Sequence, residues 1–106
     1  MALDIGPETI ELVDLPVPAC PPDGVLLAVR ACGVCGSDLR RWREGPAPGG
    51  TTVPGHEFAG EGEAVGAEVM HLVPGDRVAV APLMPCFDCP ECERGIYSLC
   101  DNYNFL

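Results

Sequence analysis

Four cysteines near one end of the sequence, Cys86, Cys89, Cys92 and Cys100, constrain what this chain can become more than any other feature. Three stand at i, i+3 and i+6 in Cys86-Phe87-Asp88-Cys89-Pro90-Glu91-Cys92, and the fourth follows eight residues later. Prolines and cysteines set the pattern from Pro82 onward, so regular structure is not expected there. Tetrahedral Zn²⁺ takes four soft ligands at about 2.3 Å, and four thiolates complete that shell. A closed shell leaves no position for water or substrate, so such a site supports folding and does no chemistry. In an irregular segment it replaces a missing hydrophobic core, with on the order of 10 kcal/mol of apparent binding energy.

Disulfides, free thiols and an iron–sulfur cluster are the competing fates of such a cluster. Residues 1–12 carry Asp4, Glu8 and Glu11 and lack the basic start and apolar run of an export signal. No apolar stretch is long enough to span a bilayer. Seven cysteines without an export signal point to a reducing, cytoplasmic setting, where clustered cysteines more often bind metal than pair. Four clustered free thiols would oxidise readily. The C-x₂-C-x₂-C run also opens ferredoxin-type motifs, but these place a fourth cysteine, then proline, after three more residues. Here position 96 is Ile, and Cys100 is followed by Asp101.

The remainder reads as one domain of short strands. Its 106 residues are 47% hydrophobic, with 13 glycines and 12 prolines spread among Val/Leu-rich runs, a globular rather than disordered composition. Residues 9–13 alternate as a strand does, Pro22-Asp23-Gly24 is a turn, and residues 25–31 read as a buried strand. Ser37-Asp38 looks like the N-cap of a short helix over residues 39–43, closed by Gly45-Pro46. Residues 45–54 read as a loop and 58–65 as a glycine-bent strand. Pro74-Gly75-Asp76 turns into a strand over 77–81. The expected fold is mainly β with short helices: a small, partly closed β-barrel with a cysteine lobe over residues 82–102.

Sixteen acidic residues against six arginines, with no lysine, give a net charge of −10. That field repels nucleic-acid backbones and anionic membranes, which excludes both as expected partners.

A second set of ligand types lies upstream. Cys35 sits in Cys32-Gly33-Val34-Cys35-Gly36-Ser37-Asp38 at a strand-to-helix junction, and His56 sits in Pro54-Gly55-His56-Glu57 before a strand. Either residue alone is a weak signal. Cysteine, histidine and a carboxylate together suit Zn²⁺ with an open position, the arrangement that does chemistry. Ligand type alone leaves that assignment open.

The Cys35-Gly36-Ser37-Asp38 and Gly55-His56-Glu57 motifs, the Pro74-Gly75-Asp76-Arg77-Val78 turn and the cysteine lobe follow one another in an order that resembles the zinc-dependent medium-chain alcohol dehydrogenases. The resemblance runs nearly end to end. Residues 85–92 and the Tyr103-Asn104-Phe105 ending are most similar to the polyol branch, the galactitol-phosphate and sorbitol-type dehydrogenases. It implies a GroES-like catalytic domain binding two Zn²⁺ per chain. Cys86, Cys89, Cys92 and Cys100 would hold the structural ion, and Cys35 and His56 the catalytic one. Glu57 would ligate that ion or sit just behind it. Asp38 would fix the histidine tautomer, and Ser37 would carry the substrate proton outward. The reaction implied is oxidation of a secondary alcohol to a ketone, with hydride passing to NAD(P).

Residues 1–106 contain no G-x-G-x-x-G after a strand, so they hold no nucleotide-binding domain. They therefore read as an incomplete catalytic domain, inactive alone and homo-oligomeric, if at all, in its full-length form. A standalone structural zinc module and an iron–sulfur electron carrier are the rival readings. One departure from the family stands out: many members end their proton relay with a histidine where this chain has Arg40. An arginine keeps its proton at working pH, so it cannot be a relay base, but its guanidinium suits an anionic substrate group such as a phosphate. Cys32 lacks the βαβ context of a redox pair with Cys35. Cys20 and His71 have no partner motif, and Trp42 either lines the substrate cleft or, the favoured expectation, packs on the barrel.

Overall fold

The computed structural model describes residues 2–46, 50 and 52–105. Its first element is an antiparallel hairpin of β1 (Ala2–Gly6) and β2 (Thr9–Leu12), turned at Pro7-Glu8 with Glu8 at φ 56°. The strand at 9–12 was legible in the sequence, whereas its partner was not. The Glu8 amide donates to the Trp42 carbonyl at 2.6 Å, which ties the hairpin to the helix described below.

The main sheet is antiparallel and three-stranded, in the order β3 (Val25–Cys32), β4 (Phe58–Val65), β5 (Arg77–Ala79). The Gly24 amide closes the predicted turn on the Pro21 carbonyl at 3.1 Å. The Asp76 carboxylate accepts from the Val73 amide at 2.9 Å and sets the second turn. The strand expected to run to residue 81 ends at Ala79, although the Val80 amide still donates to the Phe58 carbonyl at 2.9 Å. The β3–β4 register shifts between Leu26 and Leu27 and again between Val29 and Ala31, so both strands bend.

Gly60 lies buried in β4 opposite Val29, and a Cβ placed there would strike the Ala28 carbonyl oxygen. Gly60→Ala is therefore expected to destabilise the fold by about 1–3 kcal/mol, read as a lowered urea midpoint at constant slope. An unchanged midpoint would mean the backbone at this contact yields freely.

The mainly β architecture with short helices is as expected, and the sheet is not closed, because three strands among the described residues are too few to curl round on themselves. One expectation, the buried strand, needs correction. For the same reason β3 is not buried: its first half is half-buried and its second half exposed. Val25, Leu27 and Val29 instead line an open apolar depression of about 540 Å³ with Phe58, Leu72 and Val78.

α1 (Gly36–Glu44) is longer than the expected 39–43 and its N-cap is Cys35, not Ser37-Asp38. Asp38 stands at the third helical position, and its carboxylate accepts from the Cys35 amide at 2.8 Å. That is half of a capping box. The helix ends at Gly45, φ 79°, whose amide donates to the Arg41 carbonyl at 2.7 Å. Of the loop expected over 45–54, residues 47–49 and 51 lie outside the described residues.

Beyond residue 82 the chain holds more regular structure than its composition suggested. β6 (Leu83–Met84) pairs with β7 (Asn104–Phe105), and between them stand α2 (Pro90–Glu93) and a one-turn 3₁₀ helix, Tyr97–Leu99. Among the described residues, the buried apolar core consists of Cys89, Cys92 and Cys100, with Cys86 packed against it. No helix in the described residues is long and apolar enough to cross a membrane.

Candidate metal centres

Cys86, Cys89, Cys92 and Cys100 converge from four local settings. Cys86 follows β6, Cys89 is the N-cap of α2 with Pro90 at its first position, Cys92 lies within α2, and Cys100 follows the 3₁₀ turn. Proline at that first position loses no hydrogen bond, because its missing N–H would have had no helical partner. One sulfur from each residue lies within 4.8 Å of all the others, and Cys86 Sγ is 4.0 Å from Cys92 Sγ. A tetrahedron with bonds of about 2.3 Å has edges of about 3.8 Å, so small movements would close this set on one ion. Cys89, Cys92 and Cys100 are 7%, 6% and 3% exposed, which leaves no room for a substrate. Every described cysteine is a free thiol.

Backbone amides point at the sulfurs. Cys100 Sγ accepts from the Cys86 amide at 3.3 Å and the Asn102 amide at 3.4 Å. The Asp88 amide holds the Cys86 thiol below its ordinary range. The Asp101 and Cys92 amides bring Cys89 down to about 6. Burial pushes Cys92 up to about 12, reinforced by Cys89 and Cys100. Four sulfurs this close cannot all ionise against one another, so one yields its proton and its neighbour keeps its own. A divalent cation removes that conflict, which is the chemical sense in which the donor set fits zinc.

The second cluster is open. Cys35 and His56 are half-buried and Glu57 is exposed, and one ligand atom from each lies within 4.8 Å of the others. Gly55, at φ 100°, shapes the approach of His56; a Cβ there would come 2.6 Å from Cys32 Sγ and would strain the backbone. His56 Nδ1 lies 3.4 Å from Asp38 Oδ1, and His56 Nε2 lies 3.5 Å from Ser37 Oγ. Asp38 thus touches both halves of the site, with one oxygen on the Cys35 amide and the other facing His56.

Cys35 is lowered from its ordinary value by the Ser37 hydroxyl first, then the Ser37 amide and His56. His56 is raised, by its hydrogen bond with Cys35 first and by Asp38. A thiolate beside an imidazole held by a carboxylate is a ligand set for a borderline cation, and the exposed side leaves a coordination position.

Sequence reasoning offered two places for Trp42, a cleft wall and the barrel surface, and favoured the second. The structure puts it in the wall of a cleft of about 410 Å³ with Ile10, Val34, Asp38, Leu39 and Arg41. The signal was available: positions 38, 41 and 42 share one helical face. Cys32 also lines that cleft but joins neither cluster, and Cys20 turns its thiol to the Gly24 carbonyl at 3.4 Å. His71 lies outside both clusters.

The alcohol dehydrogenase GroES-like domain model matches residues 21–106. Galactitol 1-phosphate 5-dehydrogenase of Escherichia coli K12 is 48% identical over 84 residues, covering 79% of this chain and 24% of that protein. Sorbitol dehydrogenase of Bacillus subtilis is 43% identical over 101 residues, covering 92% and 29%. The crystal structure of galactitol-1-phosphate dehydrogenase from Escherichia coli superposes with a TM-score of 0.86 at 39% identity, covering 99% of this chain and 31% of that one. The chain thus spans 24–31% of the length of these relatives.

Proposed function

Because this chain belongs to the alcohol dehydrogenase GroES-like domain family, we propose that it forms the zinc-binding part of the catalytic domain of an NAD(P)-dependent polyol dehydrogenase. The reaction is oxidation of a secondary alcohol to a ketone. One observation carries the reading: a sealed four-sulfur cluster coexists with an accessible Cys35–His56–Glu57 cluster that has a hydroxyl beside it.

In this reading residues 82–102 are the structural lobe, and Cys86, Cys89, Cys92 and Cys100 hold one zinc ion. Cys35, His56 and Glu57 hold the other. When bound there, zinc would supply the Lewis acidity that makes a substrate hydroxyl easier to deprotonate near neutral pH. Ser37 is exposed and its Oγ lies 3.5 Å from His56 Nε2, so it is placed to accept that proton and pass it outward. Asp38 favours the tautomer with the proton on His56 Nδ1, which leaves the Nε2 lone pair free. Arg40 cannot act as a base, so water finishes the relay.

Hydride acceptance belongs to an NAD(P) site outside these 106 residues, since none of them forms a dinucleotide fingerprint. Alone, the chain binds metal and alcohol without turnover. The substrate is a polyol, free or carrying a phosphate ester; relatives named for sorbitol and for galactitol 1-phosphate support both. Nucleic acids and anionic membranes are not partners, given the charge of −10. Seven free cysteines suit a reducing cytoplasm.

Cobalt substitution tests the reading, because Co²⁺ occupies zinc sites and reports its ligands in the visible spectrum. Two Co²⁺ per chain are expected, and adding sorbitol should shift the bands of one of them. A single metal at the lobe, with a spectrum indifferent to alcohols, would leave only a structural zinc module. Strong iron–sulfur absorption in the purified protein would favour an electron carrier instead.

A further inference from the structure

Arginines are scarce in this chain and unevenly placed. Three of the six, Arg40, Arg41 and Arg43, fall within four residues on α1, in a protein that has no lysine. Arg30 is held by Glu61 at 3.1 Å and Arg94 by Glu91 at 3.0 Å. Among the described residues, none of the three on α1 has a carboxylate partner. They extend the helix whose first turn carries Ser37 and Asp38, beside the open cluster.

Spacing puts two of them beside Ser37, with Arg41 on the flank shared with Asp38 and Arg40 on the flank away from it. Arg40 and Arg41 are three and four residues after Ser37, so they neighbour it along one face, about 5.4 Å further down the axis. That offset is comparable with the length of a short polyol whose hydroxyl is held near Ser37. Arg41 also lines the cleft shared with Asp38 and Trp42.

Charge decides what such a pair is for. A divalent zinc ion with the Cys35 thiolate and the Glu57 carboxylate sums to zero, and Asp38 makes the site net negative. The rest of the chain adds to that, at −10 overall. A neutral polyol needs no cation here, whereas a phosphate dianion would be repelled at every range without one. Two guanidiniums next to Ser37 reverse the local sign and offer planar donors matched to phosphate oxygens.

We propose that Arg40 and Arg41 form an anion subsite one helical turn from Ser37 that selects polyol substrates carrying a phosphate ester. The inference rests on the dehydrogenase reading and adds a specificity determinant to it. The phosphate docks against α1, and the hydroxyl to be oxidised then falls beside Ser37 and the open cluster. No bond to phosphorus forms or breaks; the ester serves only as a handle.

The test is calorimetric, on the cobalt-loaded chain, with sorbitol, sorbitol 6-phosphate and inorganic phosphate as ligands. The wild-type chain is expected to bind the phosphate ester at least about tenfold more tightly than sorbitol, with a preference that weakens as salt screens the guanidiniums. In Arg40→Gln/Arg41→Gln the ratio of the two affinities should fall at least about tenfold, and Arg40→Lys/Arg41→Lys should recover part of it. A ratio unchanged by the glutamine pair overturns the subsite, as does phosphate binding that follows the metal alone and ignores the arginines. The cobalt spectrum separates this from the broader reading. If sorbitol shifts the bands while the arginines prove irrelevant, only the subsite fails; if sorbitol leaves the bands unmoved, the dehydrogenase assignment itself fails.

Discussion

Replacing Cys100 with serine is expected to remove one of two bound zinc ions and to melt residues 82–102, while the β3–β4–β5 sheet survives. The reason lies in how little else holds the lobe. Its regular elements are four residues of α2, three of the 3₁₀ turn and a two-residue strand pair. None approaches the length at which a helix or hairpin persists in water without tertiary support. The buried apolar residues of the described chain are three of the four clustered cysteines themselves, so no hydrocarbon core can substitute for the metal. Cys100 is the least exposed of them, and its sulfur anchors the amides of Cys86 and Asn102, one on each side of the lobe. Serine keeps the shape but offers a hard, weakly acidic oxygen in place of a thiolate. The readouts are metal content and hydrogen exchange. Amides of residues 83–104 should lose protection by orders of magnitude, while those of β3 and β4 should change little. Zinc content equal to wild type, or uniform loss of protection across the chain, would show that the lobe is not a metal-built unit.

How much of this could be read in the sequence follows from how local each signal is. The spacing of Cys86, Cys89 and Cys92 places three sulfurs within a turn and a half of chain, so their meeting was legible. The return of Cys100 needed only a short loop. The strand at 58–65 was found to the residue, because Phe58, Val65 and the glycines between them leave few other options. β1 was missed: Leu3-Asp4-Ile5 alternates, but a three-residue alternation has the weight of chance. The cap of α1 was displaced by two residues, because Ser37-Asp38 is the commoner cap chemistry and only tertiary contact shows Asp38 serving the Cys35 amide from inside the helix. Burial was the least legible property. Val25, Leu27 and Val29 carry the composition of a covered strand, yet in this chain their face is open. Periodicity states which side of a strand is apolar and is silent on what covers it.

His56→Ala is expected to abolish the second metal site and leave the first untouched, so that bound metal falls from two ions per chain to one and the spectral response to sorbitol disappears. His56 is the only imidazole in the open cluster, and without it Cys35 and Glu57 supply two ligands, too few to hold Zn²⁺ against water. The fold should tolerate the change, since His56 is half-buried and its ring partners, Cys35, Ser37 and Asp38, all belong to the same open site. Asp38→Asn gives the graded version of the same experiment. The side-chain amide's single acceptor oxygen can serve the Cys35 amide or His56 Nδ1 but not both, and the negative charge that strengthens the imidazole as a donor is lost. Metal affinity at this site should then fall about 10–100-fold while lobe affinity stays constant. A competition titration against a chelator, following the two sites separately by cobalt absorption, resolves both outcomes. Retention of the second metal in His56→Ala would show that this imidazole is a bystander, and the case for alcohol chemistry beside Ser37 would go with it.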